Sequence, residues 1–313
     1  MTDTDNNLRL EGVVVPMITP LTADAGIDEQ GTARLVDFLL GGGVHALFAL
    51  GSSGEFVSLP WAKQRRFISA VVESNRRRVP VCVGVSANSM EEVVDRAVEA
   101  AALGADFAVV LPPFYFRVSQ PELVRFFSII ADRIPIPLVM YNMPFRTNNN
   151  IEPETVATLA AHPRIAAIKD TVSDMARTLD VLGRIGRRDD FGYFHGNELL
   201  SLPALLYGAR GMVPSIANFE PAGMVRAYEA ARRGDLAGLG VWQKRMQGWM
   251  RVFGLLESRP QESTTLRLQA IKVALELLGI CGSTMAQLHE PPGEAQREKV
   301  RAFLRAEGIG AAG

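Results

Sequence analysis

Cysteine is nearly absent from this chain: Cys82 and Cys281 lie far apart and form no CxxC pattern. That argues against a structural zinc site and fits a reducing cytoplasm. Histidine is almost as scarce, and its four residues are scattered without metal-ligand spacing. "HEPPG" (289–293) is not an HExxH helix and is broken by prolines. No Gly-Lys dipeptide occurs, which rules out a Walker A loop, and "GGGVHA" (41–46) precedes an apolar run where a dinucleotide fingerprint would follow one. The formal net charge of -1 supplies no field to attract nucleic acid or an anionic membrane. No apolar run approaches the ~20 residues needed to span a bilayer. The start, "MTDTDNNLRLEG", lacks the basic and apolar regions of a secretory signal, so residues 1–11 read as a frayed arm on an intracellular, cytoplasmic protein.

What is present is an ordinary globular balance, 48% hydrophobic over 313 residues, enough for a core without disulfides or metals. Eight short apolar runs begin at "GVVVPMI" (12–18) and "VHALFAL" (44–50). "VPVCVGV" (79–85), "DFAVVL" (106–111), "IPLVMY" (136–141) and "RIAAIK" (164–169) follow. "FGYFH" (191–195) and "ARGMVP" (209–214) are the weakest. Near-continuous apolar runs suit parallel strands covered on both faces. Amphipathic stretches separate them, with helix-start signals at Ser89 with Glu92, and at Ser119 with Glu122; Gly104 marks a helix end. This alternation predicts an α/β fold, a (β/α)8 TIM barrel over 12–234. Three further helices over 235–313 then form a C-terminal helical extension packed on the barrel; the alternative is a separately folding tail. The arginine clusters at 76–78, 187–188 and 232–233 sit near predicted helix ends, where cations complement the macrodipole.

In such a barrel the chemistry sits at the carboxyl ends of the strands. Those positions carry "GSSGEF" (51–56), "PPFYFR" (112–117), "YNMPFRT" (141–147), Lys169, "HGNE" (195–198) and "PSIAN" (214–218). An amine in a partly apolar mouth loses solvation, which favours its neutral, nucleophilic form. It can attack a ketone to give a Schiff base, an electron sink for making or breaking the adjacent C–C bond. A tyrosine hydroxyl in a hydrogen-bonded chain can carry the protons, and Tyr115 and Tyr141 both fall on this rim. The small residues of "GSSGE" let backbone N–H groups approach a carboxylate. Each feature has a plainer reading: Lys169 as an exposed strand end, Tyr141 as a packing aromatic, "GSSGE" as a tight connection, and His195 as a packed structural histidine.

With "GSSGE", "YNMP" and "IKD" in hand, the chain resembles the dihydrodipicolinate synthase and N-acetylneuraminate lyase family of pyruvate-dependent Schiff-base lyases over nearly its whole length. The resemblance implies a (β/α)8 barrel with extra C-terminal helices, no metal or organic cofactor, and a homotetramer built from dimers. It implies that Lys169 forms the Schiff base with pyruvate or the keto acid and that Tyr141 is the acid/base. Ser52 and Ser53 would bind the pyruvate carboxylate, Ser52 also relaying protons, and Tyr115 would reach a neighbouring subunit's site. Arg146 stands where the synthases hold the carboxylate of the aldehyde, while Phe116 replaces a residue that is usually polar there. Ser52, Thr171, Glu198 and Ser215 look more like the sugar-acid lyases, although Leu199 follows Glu198 where the neuraminate lyases carry a second acid. Val213 joins the expected substrate-binding set, and Asp170 is either a supporting acid or a charge at a helix start. The leading expectation is condensation of pyruvate with aspartate semialdehyde. The alternatives are an aldolase or dehydratase acting on a 2-keto-3-deoxy sugar acid or a short 4-hydroxy-2-keto acid, and a non-catalytic keto-acid-binding barrel.

Overall fold

The computed structural model describes residues 9–257, 264–286 and 290–310. Eight parallel strands close into a barrel in sequence order. They are β1 (Gly12–Pro16), β2 (Ala46–Ala49), β3 (Val81–Gly84), β4 (Phe107–Val110), β5 (Leu138–Asn142), β6 (Ile165–Asp170), β7 (Gly192–His195) and β8 (Gly211–Met212). Each lies within one of the eight apolar runs or one residue beyond it. Between them run α1 (Glu29–Gly41), α2 (Trp61–Asn75), α3 (Met90–Ala102), α4 (Gln120–Arg133), the single turn α5 (Pro144–Thr147), α6 (Pro153–Ala160), α7 (Met175–Ile185) and α8 (Glu198–Leu206). After β8 come α9 (Pro221–Arg232), α10 (Leu236–Trp249), α11 (Thr264–Leu277) and α12 (Glu294–Glu307).

Local chemistry sets the helix starts. The Asp28 carboxylate accepts from Gly31 N–H at 2.8 Å, and Ser89 Oγ from Glu92 N–H at 3.4 Å. Ser119 and Glu122 form the reciprocal capping box ahead of α4. Arg78 donates to the Ser74 and Asn75 carbonyls at the end of α2, the macrodipole complement expected of that cluster.

The eighth strand is only two residues long. A Cβ on Gly211 would stand 2.2 Å from the Gly12 carbonyl oxygen and 2.5 Å from the Phe194 ring, so the barrel closes only where side chains are missing. The interior is otherwise filled. Leu10, Val14, Phe48, Cys82, Val109, Val139, Phe194 and Val213 surround a void of about 10 Å³ beneath Lys169. Leu10 was expected in the frayed arm; the structure buries it in this plug because an apolar side chain there stops the barrel floor. Residues 1–8 of that arm lie outside the described residues, as does His289, while Arg9 and Glu11 are exposed and Arg9 pairs with Asp189 at 3.0 Å. Both cysteines are free and buried, and burial pushes the Cys281 thiol up to about 12. Among the described residues no helix is long and apolar enough to cross a membrane, and no group of three or more His, Cys, Asp or Glu is arranged to hold a metal ion.

Candidate active site

The pairing of β5 with β6 builds the centre of the site. The register shifts between Leu138 and Val139, so that Leu138 pairs Ile165 but Val139 pairs Ala167. Beyond this bulge Tyr141 pairs Lys169, and Asn142 pairs Asp170. Partners share a face and successive residues alternate. The inner pair is therefore Tyr141 and Lys169, and the outer pair Asn142 and Asp170. Without the slip Tyr141 would pair Ile168, and the amine and the phenol would not share the mouth.

Lys169 is 6% exposed. Its Nζ lies 3.9 Å from the centre of the Tyr141 ring and 5.1 Å from that of Phe48. Nζ makes no hydrogen bond or ion pair with another described residue. The Tyr141 hydroxyl donates to Met143 Sδ at 3.0 Å and lies 3.4 Å from Ser52 Oγ. Ser52 Oγ also reaches Met143 Sδ at 3.5 Å. The plainer reading of Lys169 as an exposed strand end is thus set aside.

Ser52 and Met143, which the Tyr141 hydroxyl meets, line a cleft of about 270 Å³ whose lining does not itself include Lys169 or Tyr141. Ser52, Ser53, Thr171, Glu198, Ser215 and Arg146 all line it. Ser53 Oγ lies 3.2 Å from Ser215 Oγ, and Glu198 Oε1 accepts from Ser215 N–H at 2.8 Å. Burial pushes the Glu198 carboxyl up, opposed by backbone N–H donors and by the Lys169 charge. Thr171 Oγ1 has no partner. Gly196 joins cleft to amine: a Cβ there would stand 2.1 Å from Thr171 Oγ1 and 3.2 Å from Lys169 Cε. Arg146, exposed on α5, lies over the Phe145 ring and donates to Thr264 Oγ1 of α11. The C-terminal helices supply a further wall with Met250, Phe253, Thr264, Arg267 and Leu268.

Two expected residues stand apart. Val213 is buried in the barrel plug beside Lys169 and does not line the cleft. Tyr115 is 83% exposed, edge-on to Phe116 and held at φ 111°, and it too is outside the cleft lining. Sequence reading missed Phe48 and Met143. Met143 follows Tyr141 by two, the spacing that returns an extended chain to one face, and this was the available signal.

Behind the sheet lies a buried polar network. Asp170 accepts from Asn142 Nδ2 at 2.8 Å and Tyr193 Oη at 3.2 Å, and Arg177 Nε lies 3.4 Å away. Burial pushes the Asp170 carboxyl up, with Arg177 the main opposing influence. Asp170 is no helix-start charge; Asp174 caps α7. His195 Nδ1 accepts from Asn197 N–H at 3.0 Å, which leaves the proton on Nε2, facing Thr178 Oγ1 at 3.2 Å. Burial pushes this imidazole down to about 4 from 6.5. A neutral folded-state histidine contributes stability that is complete above the unfolded value and is lost as pH falls through the folded one. Stability should therefore drop by about 3 kcal/mol between pH 6.5 and 4 on this account. Melting temperature against pH for wild type and His195→Gln checks it: the variant's curve should be flatter there, and parallel curves would remove the assignment.

Comparison with known proteins fits this geometry. Residues 9–307 match the Dihydrodipicolinate synthetase family. The chain belongs to that family. A 4-hydroxy-tetrahydrodipicolinate synthase of Methanoculleus marisnigri is 33% identical over 296 residues, covering 94% of this chain and 98% of the relative. The enzyme of that name from Anaeromyxobacter dehalogenans is 33% identical over 293 residues, covering 94% and 96%. Among solved structures, dihydrodipicolinate synthase from Bacteroides thetaiotaomicron superposes with a TM-score of 0.90 at 33% identity, covering 96% of this chain and 99% of that one. An E. coli K12 prophage protein of the dihydrodipicolinic acid synthase family, in complex with pyruvate, gives 0.88 at 29% identity with the same coverage. The family's barrel is thus the frame in which Lys169, Tyr141 and the "GSSGE" loop meet.

Proposed function

We propose that the protein is a class I lyase that joins pyruvate to an aldehyde through a Schiff base on Lys169, with aspartate semialdehyde as the leading aldehyde, in the manner of 4-hydroxy-tetrahydrodipicolinate synthase. The observation that carries this is the Lys169 amine, held without a hydrogen-bonding partner against Tyr141, whose hydroxyl reaches Ser52 on the wall of a cleft lined with hydroxyls. The neutral amine adds to the keto carbon, and the carbinolamine loses water to give the iminium. Loss of a C3 proton gives the enamine, which attacks the aldehyde carbon, and water then releases the product and regenerates the amine. Each step moves a proton at the reacting carbon or oxygen, and Tyr141 Oη with Ser52 Oγ forms the relay. Ser52 and Ser53 open a short 3-10 turn, so their amides have no partner within the turn and, with the hydroxyls, suit the keto-acid carboxylate. This chemistry needs neither a metal nor an organic cofactor.

Arg146 supports the choice of aldehyde, since it lines the cleft and its guanidinium suits a carboxylate. Tyr115 is assigned to a neighbouring subunit's relay within a homotetramer. Its support is an exposed tyrosine kept in a strained left-handed conformation with no role in its own cleft. A second reading, cleavage or dehydration of a 2-keto-3-deoxy sugar acid, is favoured by the unpartnered Thr171 hydroxyl and buried Glu198, which suit substrate hydroxyls. Borohydride reduction with pyruvate followed by mass measurement is the direct test; an unmodified wild type would end the covalent mechanism. Arg146→Ala then separates the two readings. It should weaken use of an aldehyde bearing a carboxylate by roughly 10- to 100-fold, the range for a hydrogen-bonded charge pair, and leave neutral aldehydes nearly unaffected. Equal loss on both would favour the second reading.

A further inference from the structure

A second buried lysine takes no part in the chemistry above. Lys272, in the middle of α11, is wholly buried, and its Nζ lies 2.5 Å from Glu55 Oε1. It also donates to the Thr284 carbonyl at 2.7 Å. The other Glu55 oxygen accepts from Ala286 N–H at 2.8 Å. One carboxylate is thereby tied to a helix and to the segment after it, more than 200 residues away in sequence.

Glu55 is the last residue of "GSSGE". It has φ 56°, and Leu50, just before the motif, has φ 60°. Left-handed backbone at a non-glycine residue costs about 1–2 kcal/mol, so the surroundings must hold it there. At one point of the loop Thr19 Oγ1 donates to the Gly54 carbonyl at 2.7 Å. At the other the Glu55 carboxylate is the hold. Immediately before these two supports stand Ser52 and Ser53, whose hydroxyls face Tyr141 and Ser215. A side chain that fixes Glu55 fixes where those hydroxyls and amides stand.

We propose that the Glu55–Lys272 ion pair is a strut through which the C-terminal helices set the position of the Ser52–Ser53 turn. Both are positioning residues for the keto-acid carboxylate, a role that rests on the reading of the site given above. Removing one partner leaves a buried ion uncompensated, whereas replacing both with apolar residues of similar size is often tolerated. The informative protein is therefore the double variant Glu55→Leu with Lys272→Met.

Two measurements on the full chain test the strut. The first is hydrogen exchange across residues 51–58 without substrate. Exchange there should quicken at least about tenfold while β5 and β6 keep their protection. The second is steady-state kinetics: KM for pyruvate should rise about tenfold or more, with kcat at saturation and KM for the aldehyde within about threefold of wild type. A purely structural role would lower the amount of active enzyme and leave KM for pyruvate alone, which would overturn the proposal. Unchanged exchange over 51–58 would overturn it equally. If the double variant does not fold, Glu55→Gln keeps the acceptor for Ala286 N–H, and the same two readouts apply with the same meaning. If wild type reacts with no keto acid, the function reading fails while the exchange result still decides whether the strut exists.

Discussion

Lys169→Ala should abolish borohydride trapping by pyruvate and lower condensation by roughly 10⁴-fold or more, the scale seen when a covalent nucleophile is removed. Among the described residues no other buried amine is available to take over. Lys272 is the other buried lysine, and its Nζ is spent on Glu55 and a carbonyl. Lys169→Met makes the test sharper, because it keeps the stem that packs on Phe48 and Tyr141 while deleting the amine. Burying an amine without a hydrogen-bonded partner opposes folding. The methionine variant should therefore melt at the wild-type temperature or above it while being inactive. Trapping retained in Lys169→Met would move the Schiff base elsewhere. A melting temperature lower by many degrees would mean that the amine is held by interactions the packing against two rings does not supply.

How far the sequence discloses this site depends on what each part is made of. Strand β6 is legible because an apolar run covered on both faces ends in a lysine, and the barrel rule then locates that lysine at the mouth. The loop motif is legible because its residues are contiguous. The face on which Lys169 meets Tyr141 is different: it depends on a one-residue slip between Leu138 and Val139 that no pattern in either run signals. Strand β8 was weak in the sequence for a physical reason, since closure there selects glycine over the β-branched residues that mark strands. The Glu55–Lys272 pair joins two segments whose separation hides any pattern, and an isolated lysine in an amphipathic helix reads as a solvated one. Asp170 was ambiguous between support and helix start because both sit at strand ends; only its alternation with Lys169 turns it outward to Arg177 and Tyr193.

Tyr141→Phe should reduce kcat by about 10²- to 10⁴-fold, the usual contribution of a positioned acid–base group. The substitution removes one oxygen and leaves the ring, so contact with Lys169 and the edge-on contact with Phe48 persist. The lost hydrogen bonds are one to a thioether, a weak acceptor, and one at 3.4 Å to Ser52, so stability should change by no more than about 1 kcal/mol. Pyruvate binding should also be nearly unchanged, because its carboxylate is assigned to the Ser52–Ser53 turn. The distinguishing readout is the time course of trapping. Lys169 is still present, so the reduced adduct should reach full yield, but slowly, because proton transfer to the departing water has lost its carrier. If Tyr141 and Ser52 act as one relay, Ser52→Ala added to Tyr141→Phe should cost little more, since units that work together are not additive. Full additivity would make them independent. A kcat within about threefold of wild type in Tyr141→Phe would assign the proton to another group, and buried Glu198, whose carboxyl is already pushed up, is the next acid in the cleft.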